Sequence, residues 1–126
     1  MRNTIKLRND EDYYIVVTSY QDNGRLALFL YDENKEPYSD ITINLPDMPI
    51  TDIDEGFING DFQSVAKDMV DELKTKGIIK DSFGFIPYNY GNYEYVKFDL
   101  EKLKEFDSIG ISEIVNSINK DINIGI

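Results

Sequence analysis

The segment that most constrains the fold is residues 61–77, where apolar side chains repeat with the period of an α-helix. They stand at i, i+3, i+4, i+7, i+8 and i+11: Phe62, Val65, Ala66, Met69, Val70 and Leu73. This spacing gathers them into one stripe along a helix. Asp61 is suited to cap the first turn, and Gly77 to end the helix in a left-handed conformation. We therefore predict one amphipathic helix whose apolar side covers a sheet.

The chain before this helix predicts an antiparallel meander. Four segments have the alternating or continuous apolar pattern of β-strands: residues 3–8, 12–20, 25–31 and 38–45. Asn23 and Gly24 tolerate the positive φ of a short hairpin connection. Two apolar rows are expected to face each other across the last two strands and to fix their register: Leu26, Leu28 and Leu30, and Ile41, Ile43 and Leu45.

The chain after the acidic crossing at residues 47–55 predicts further short elements. Residues 56–59 and 93–98 read as strands, with Tyr93, Tyr95 and Lys97 on one side of the second. Residues 99–106 read as a helix capped by Asp99, and residues 112–120 as another behind Ser112.

These elements together predict an α+β fold. We expect an antiparallel meander sheet of about five strands, covered by one main amphipathic helix, with one or two short C-terminal helices. The chain reads as one domain, 1–126, in four parts: the N-terminal β-meander (1–46), the acidic loop and helix (47–77), the aromatic loop, strand and short helix (78–106), and a C-terminal extension (107–126).

Composition excludes several kinds of chemistry. The chain has no His, Cys or Trp, so nucleophilic triads, thiolate metal sites and disulfides are absent. The densest carboxylate cluster fails as an EF-hand loop, because counting from Asp52 puts the obligatory glycine position at Phe57. No segment resembles a membrane span or a signal peptide. We therefore expect a non-enzymatic protein of the host-cell cytoplasm, without cofactor, metal or membrane contact.

The formal net charge of −11 is concentrated in one region. Residues 47–72 contain eight acidic residues against Lys67 alone, a net charge of −7. Such a region is either a solubilising surface or one that competes for a basic, nucleic-acid-binding site on a partner. Direct binding of nucleic acid is not expected, since it requires clustered Lys and Arg.

A second unusual feature is aromatic, with seven rings between residues 83 and 98. Tyr88, Tyr90 and Tyr93 surround a turn and are expected to be exposed. Exposed tyrosines serve as anchors in protein interfaces or stack on bases in small-molecule pockets, and they also pack loops onto sheets. These three readings stay open.

The hairpin at residues 23–46 resembles the signature of a family of small uncharacterised proteins. Its first arm matches at Asn23, Gly24, Leu26, Ala27, Leu28 and Leu30, and its second at Pro37, Tyr38, Ile41, Thr42, Ile43, Asn44, Leu45 and Pro46. Similar features follow at Phe57-Ile58, Gly77-Ile78 and Phe98-Asp99-Leu100. The family's S-G-F-x-x-Y-P stretch is kept only in part, at residues 82–85.

The resemblance implies an α+β fold and a setting on phages, plasmids and integrative elements of low-GC Gram-positive bacteria, under a domain-of-unknown-function label. Small acidic proteins of mobile elements are often inhibitors of host defence, such as anti-CRISPR proteins, so it also implies an anti-defence role. It transfers no catalytic residue.

Our leading hypothesis is an inhibitor, mimicking nucleic acid, that binds a host immunity protein with a basic surface. The partner-binding residues we predict are Asp52, Asp54, Glu55, Asp61, Asp68, Asp71, Glu72, Tyr88, Tyr90 and Tyr93. The alternatives are a sponge that sequesters a nucleotide immune signal in a tyrosine-lined pocket, and an accessory protein without a defence role. Homodimerisation is left open.

Overall fold

The structure, a computed structural model, describes residues 3–7, 10–60 and 66–124, with side chains up to residue 117. The strands are β1 (Ile5–Lys6), β2 (Asp12–Ser19), β3 (Leu26–Tyr31), β4 (Pro37–Asp40), β5 (Thr42–Ile43), β6 (Glu55–Ile58), β7 (Ile79–Tyr88) and β8 (Gly91–Phe98). The helices are α1 (Lys67–Thr75), α2 (Leu100–Lys104) and α3 (Ser108–Ile124).

The described strands form two antiparallel sheets of four strands each. Sheet 1 has the order β1-β2-β3-β4, and sheet 2 has the order β5-β6-β8-β7. The α+β class is confirmed, whereas the single meander sheet of about five strands is wrong. The N-terminal strands follow the predicted meander, but the strands after residue 41 pair with one another instead of extending it.

The two sheets meet where one extended segment changes partner at Ile41. Before the bend, β4 pairs with β3, through Phe29 with Asp40 and Leu30 with Ser39. After it, β5 pairs with β6, and the cross-strand partner of Ile43 is Phe57. A bent strand of this kind turns the corner between two packed sheets. The predicted register of Ile41, Ile43 and Leu45 against the β3 leucines is therefore wrong beyond Ile41.

The described helix α1, Lys67–Thr75, covers the C-terminal part of the predicted apolar stripe. Its N-cap is Ala66, whose φ of −122° and ψ of 42° are not helical, and Asp61 lies outside the described residues. The predicted end at Gly77 is confirmed, with φ of +78°. Gly77 N donates to Lys74 O, and Ile78 N donates to Leu73 O, which is the Schellman arrangement. The predicted C-terminus is therefore confirmed, whereas the predicted start at Asp61 lies outside the described residues.

Helix α3 begins four residues before the predicted cap at Ser112. The buried Asp107 carboxylate accepts from Gly110 N at 3.1 Å and, with its other oxygen, from Val17 N of β2 at 2.9 Å. Gly110 is required here, because a Cβ would lie 2.2 Å from Val17 O. The start of α3 thus covers the part of the β2 edge that β1 does not reach. The predicted Asp99 cap of α2 is confirmed, since its side chain accepts from Glu101 N and Lys102 N.

Sheet 2 has one face in the core and one face outside it. Its inner face bears Ile58, Val96 and Phe98, which pack with sheet 1 and with the buried side of α1. Its outer face bears the alternating partners of these strands: Glu55, Phe57, Asp81, Tyr93, Tyr95 and Lys97. Residues 47–54, the acidic loop, contact this outer face.

Candidate functional site

A buried carboxylate, Glu55, organises the outer face. Its Oε1 accepts from the backbone N of Thr51 at 2.8 Å, and its Oε2 accepts from Thr51 Oγ1 at 2.8 Å. The Tyr95 hydroxyl donates to the same carboxylate. Burial alone would raise the pKa of Glu55, but the bonds from Tyr95 and Thr51 outweigh it and lower the pKa below 4.5. Glu55 is therefore charged at neutral pH and fixes the acidic loop to the sheet.

Lys97 lies between two other carboxylates of this region. Its Nζ is 2.8 Å from Asp54 Oδ1 and 3.6 Å from Asp52 Oδ2. The hydrogen bond to Asp54 raises the pKa of Lys97, against the opposing effect of burial. The Asp54 side chain is 18% exposed and that of Asp52 is 56% exposed. Asp52 is therefore the member of the pair that presents its charge to solvent.

Three aromatic rings form a row across the outer face. Phe57 on β6 stacks on Tyr95 of β8 with ring centroids 5.0 Å apart and an interplanar angle of 28°. Phe83 on β7 lies 4.8 Å from Tyr95 at 52°. Both separations are typical of favourable aromatic pairs. Because Phe57 is 1% exposed and Phe83 is 48% exposed, the row runs from the interior to the edge of the sheet.

A bulge in β7 separates two exposed phenylalanines. In a regular strand, Phe83 and Phe85 would share a face. The pairing with β8 shifts between Ser82 and Phe85, and Gly84 between them has φ of +93°. Phe83 therefore meets Tyr95 on the outer face, whereas Phe85 pairs with Glu94, which carries its side chain on the inner face.

The predicted tyrosines lie at the far end of the same hairpin. The Tyr88 hydroxyl donates to Asp47 Oδ2 at 3.3 Å, which joins the start of the acidic loop to β7. Desolvation, followed by the charge of Asp47, raises the pKa of Tyr88. Tyr93 is half-buried and lies against Gly60, where a Cβ would stand 3.2 Å from its ring. Tyr90 is fully exposed at the hairpin tip.

The structure brings together part of the predicted partner-binding set. Asp52, Asp54, Tyr88 and Tyr93 share the outer face, next to Tyr90 at the tip. Glu55 is on the same face but only 4% exposed, so its carboxylate supports the loop and is not available to a partner. Asp61 lies outside the described residues.

The acids of α1 are not part of this surface. Asp68, Asp71 and Glu72 belong to the helix that packs on the inner face of sheet 2, away from the acidic loop. Asp71 also forms an i, i+4 ion pair with Lys67 at 3.1 Å. The charge excess of residues 47–72 is therefore divided between two sides of the sheet.

Among the residues of the outer face and its loop, the predicted partner-binding set lacks Asp47, Phe57, Asp81, Phe83, Tyr95 and Lys97. The predicted alternation of residues 93–98 already put Tyr95 beside Tyr93 and Lys97, so this signal could have identified it. Asp81 and Phe83 were not recoverable in the same way, because the bulge at Gly84 interrupts the alternation of β7.

A cleft of about 480 Å³ adjoins the acidic loop on the side of α3. Its described lining residues are Ser19, Asn23, Gly24, Arg25, Ile50, Thr51, Asp52, Ile53, Ile114 and Ser117. Arg25 Nη1 donates to Leu45 O at 2.9 Å, which holds the guanidinium at this wall. The size falls within the range of small-molecule sites, although none of the described lining residues is aromatic.

Within the residues that the structure describes, no three acidic side chains converge as metal ligands would. In the same part of the chain, no helix is long and apolar enough to cross a membrane. The chemistry that the outer face offers consists of hydrogen-bond acceptors, negative charge and aromatic rings.

A family model described as Domain of unknown function (DUF4313) matches residues 14–118. No curated protein matches the chain, and no solved structure matches it. The matched segment runs from β2 into α3 and contains the whole outer face of sheet 2.

Proposed function

We propose that this chain, which belongs to the DUF4313 family, is a non-enzymatic inhibitor that binds a basic surface of a host immunity protein. The description of the family names no activity, so the proposal takes none from it. The binding surface is the outer face of sheet 2 together with the acidic loop. The anti-defence role rests on the resemblance of residues 23–46 to proteins of mobile elements.

The observation that supports this proposal is the joining of charge and aromatic area on one face. Asp47 and Asp52 are exposed, and each contacts a residue of the β7–β8 hairpin. The bonds of Glu55 to Thr51 hold the loop in place before any partner binds. A preorganised surface loses less conformational entropy on binding, and aromatic anchors inside a charged rim are typical of interface hot spots.

The nucleotide-sponge alternative has less support on this face. A phosphate ligand needs cations, and Lys97 is already held between Asp54 and Asp52. The adjoining cleft contains Arg25 but, among its described lining residues, no ring that could stack on a base. A basic protein partner requires neither a free cation on this face nor a ring that stacks on a base.

The experiment is affinity capture from a host lysate with two charge-matched variants. Asp47→Asn with Asp52→Asn removes two charges from the outer face, and Asp68→Asn with Asp71→Asn removes two from the α1 side. We expect the first variant to lose the captured immunity protein and the second to retain it. Because complementary charge governs encounter, salt should weaken the wild-type complex, and double-stranded DNA should displace it.

Equal capture by both variants would place the contact elsewhere on the molecule. A complex that DNA does not displace would contradict mimicry of nucleic acid. Circular dichroism of each variant checks that the charge change has left the fold intact.

A further inference from the structure

We infer that Asp81, Phe83 and Tyr95 form a seat for arginine side chains of the partner. This inference rests on the proposed function and adds the chemical group that the outer face recognises. Phe83 supplies an exposed ring at the edge of the sheet, Tyr95 contacts that ring, and Asp81 supplies a carboxylate on the same face.

The geometry of β7 places the carboxylate next to the ring. Asp81 is paired with Lys97, and the ring of Phe83 contacts that of Tyr95, so both side chains stand on the outer face, two residues apart on β7. Asp81 lies directly across from Lys97, yet the Lys97 ammonium is turned to Asp54 at 2.8 Å. No cation within the described part of the chain forms an ion pair with Asp81. A cation from outside the protein therefore finds an exposed carboxylate beside an exposed ring.

Arginine fits this pair better than lysine. Its planar guanidinium can stack flat on the exposed ring of Phe83 and at the same time donate to the carboxylate of Asp81. A lysine ammonium is a more strongly hydrated point charge and gains less from the ring. The seat therefore predicts discrimination between the two cations, which a simple acidic surface would not show.

The occupant we propose is a foreign basic segment, not a second copy of this chain. A net charge of −11 makes two copies repel each other. Arg25, whose side chain is half-buried, already donates to Leu45 O within its own chain. The same charge attracts an arginine-rich partner.

The bulge at Gly84 provides a matched control. Phe85 is 58% exposed and lies two residues from Phe83, but it belongs to the opposite face. Phe83→Leu and Phe85→Leu make the same chemical change on the same strand, and each keeps an apolar side chain. Only the first removes a ring from the proposed seat.

The probes are three fluorescein-labelled octapeptides in which glycine alternates with arginine, lysine or citrulline. Citrulline keeps the planar shape of arginine without its charge. In fluorescence anisotropy we expect the arginine peptide to bind most tightly and the citrulline peptide least. Phe83→Leu should weaken arginine binding about two- to five-fold, the range of an exposed cation–π contact, and remove most of the preference over lysine. Asp81→Asn should weaken it as well, whereas Phe85→Leu and the charge-matched Asp71→Asn should retain it.

Nuclear magnetic resonance of the wild-type protein tests the seat without a substitution. The ring protons of Phe83 and Tyr95 should shift on addition of the arginine peptide, and those of Phe85 should not. Three results would each overturn the inference. They are equal effects of Phe83→Leu and Phe85→Leu, equal binding of the arginine and citrulline peptides, and a dimer that Phe83→Leu dissociates. Capture of a host protein that is lost in the Asp47, Asp52 variant but unaffected by Phe83→Leu would leave the proposed function standing and refute the seat alone.

Discussion

Asp107 gives the sharpest test of how the fold is held together, because its one carboxylate serves two elements. It is 3% exposed, and its two oxygens accept from Gly110 N in the first turn of α3 and from Val17 N on the edge of β2. Asp107→Ala removes both acceptors at once. The Val17 N–H then remains buried beneath the start of α3 without its acceptor.

The magnitude follows from these two bonds. Loss of a helix cap costs about 1 kcal/mol. A buried backbone donor left without an acceptor costs about 1–3 kcal/mol. We therefore expect Asp107→Ala to lower the free energy of unfolding by about 2–4 kcal/mol. Asp99→Ala is the control, since Asp99 caps α2 through two exposed hydrogen bonds and supports no strand, and it should cost about 1 kcal/mol.

The assay is urea unfolding followed by far-ultraviolet circular dichroism, which suits a chain with no tryptophan. A shift of the midpoint at constant slope reports the change in stability. Exchange of the Val17 amide hydrogen should accelerate in Asp107→Ala beyond what global destabilisation explains. A loss no larger than that of Asp99→Ala would refute the reasoning, because it would mean that Val17 N–H finds another acceptor at no cost.

Two further predictions concern buried carboxylates. The pKa of Glu55 is lowered in the folded state, so its stabilisation is present above its unfolded value of 4.5 and is lost as the pH falls through the folded value. The unfolding free energies of wild type and Glu55→Gln should therefore differ most near neutral pH and converge as the pH falls below 4.5, and a constant difference would contradict the assignment. Lys74→Met should cost about 3 kcal/mol in urea unfolding, because Lys74 Nζ lies 2.7 Å from a Glu94 carboxylate that is 3% exposed. Lys74→Met combined with Glu94→Leu should lower the free energy of unfolding less than Lys74→Met alone, because it leaves no unpaired buried carboxylate. A larger loss in the double variant would contradict this, since the ion pair would then stabilise the fold by more than its desolvation costs.

Patterns confined to one strand or one helix end were predictable from the sequence. The leucines of β3 alternate into the core, and Gly77 ends α1 as its position indicates. Asp99 caps α2 for a similarly local reason, since its side chain reaches backbone groups two and three residues away. In each case a few neighbouring residues determine the conformation.

Features that depend on distant segments were not predictable in this way. The bend at Ile41 is set by the pairing of β5 with β6, in which Thr42 lies opposite Ile58 and Ile43 opposite Phe57. The apolar stripe of residues 61–77 is continuous and gives no sign of the non-helical backbone at Ala66, which precedes the described helix α1. The burial of Glu55 depends on Tyr95, which is forty residues away, so counting acids along the chain overestimated the exposed charge.

The bent segment at residues 37–43 has a consequence for how the protein unfolds. Its first half completes sheet 1, its second half completes sheet 2, and Ile41 N between them donates to Leu28 O of β3 at 2.9 Å. Neither sheet can release this segment without removing a strand from the other. Opening of one sheet is therefore linked to opening of the other, and the N-terminal meander does not form an independently cooperative unit.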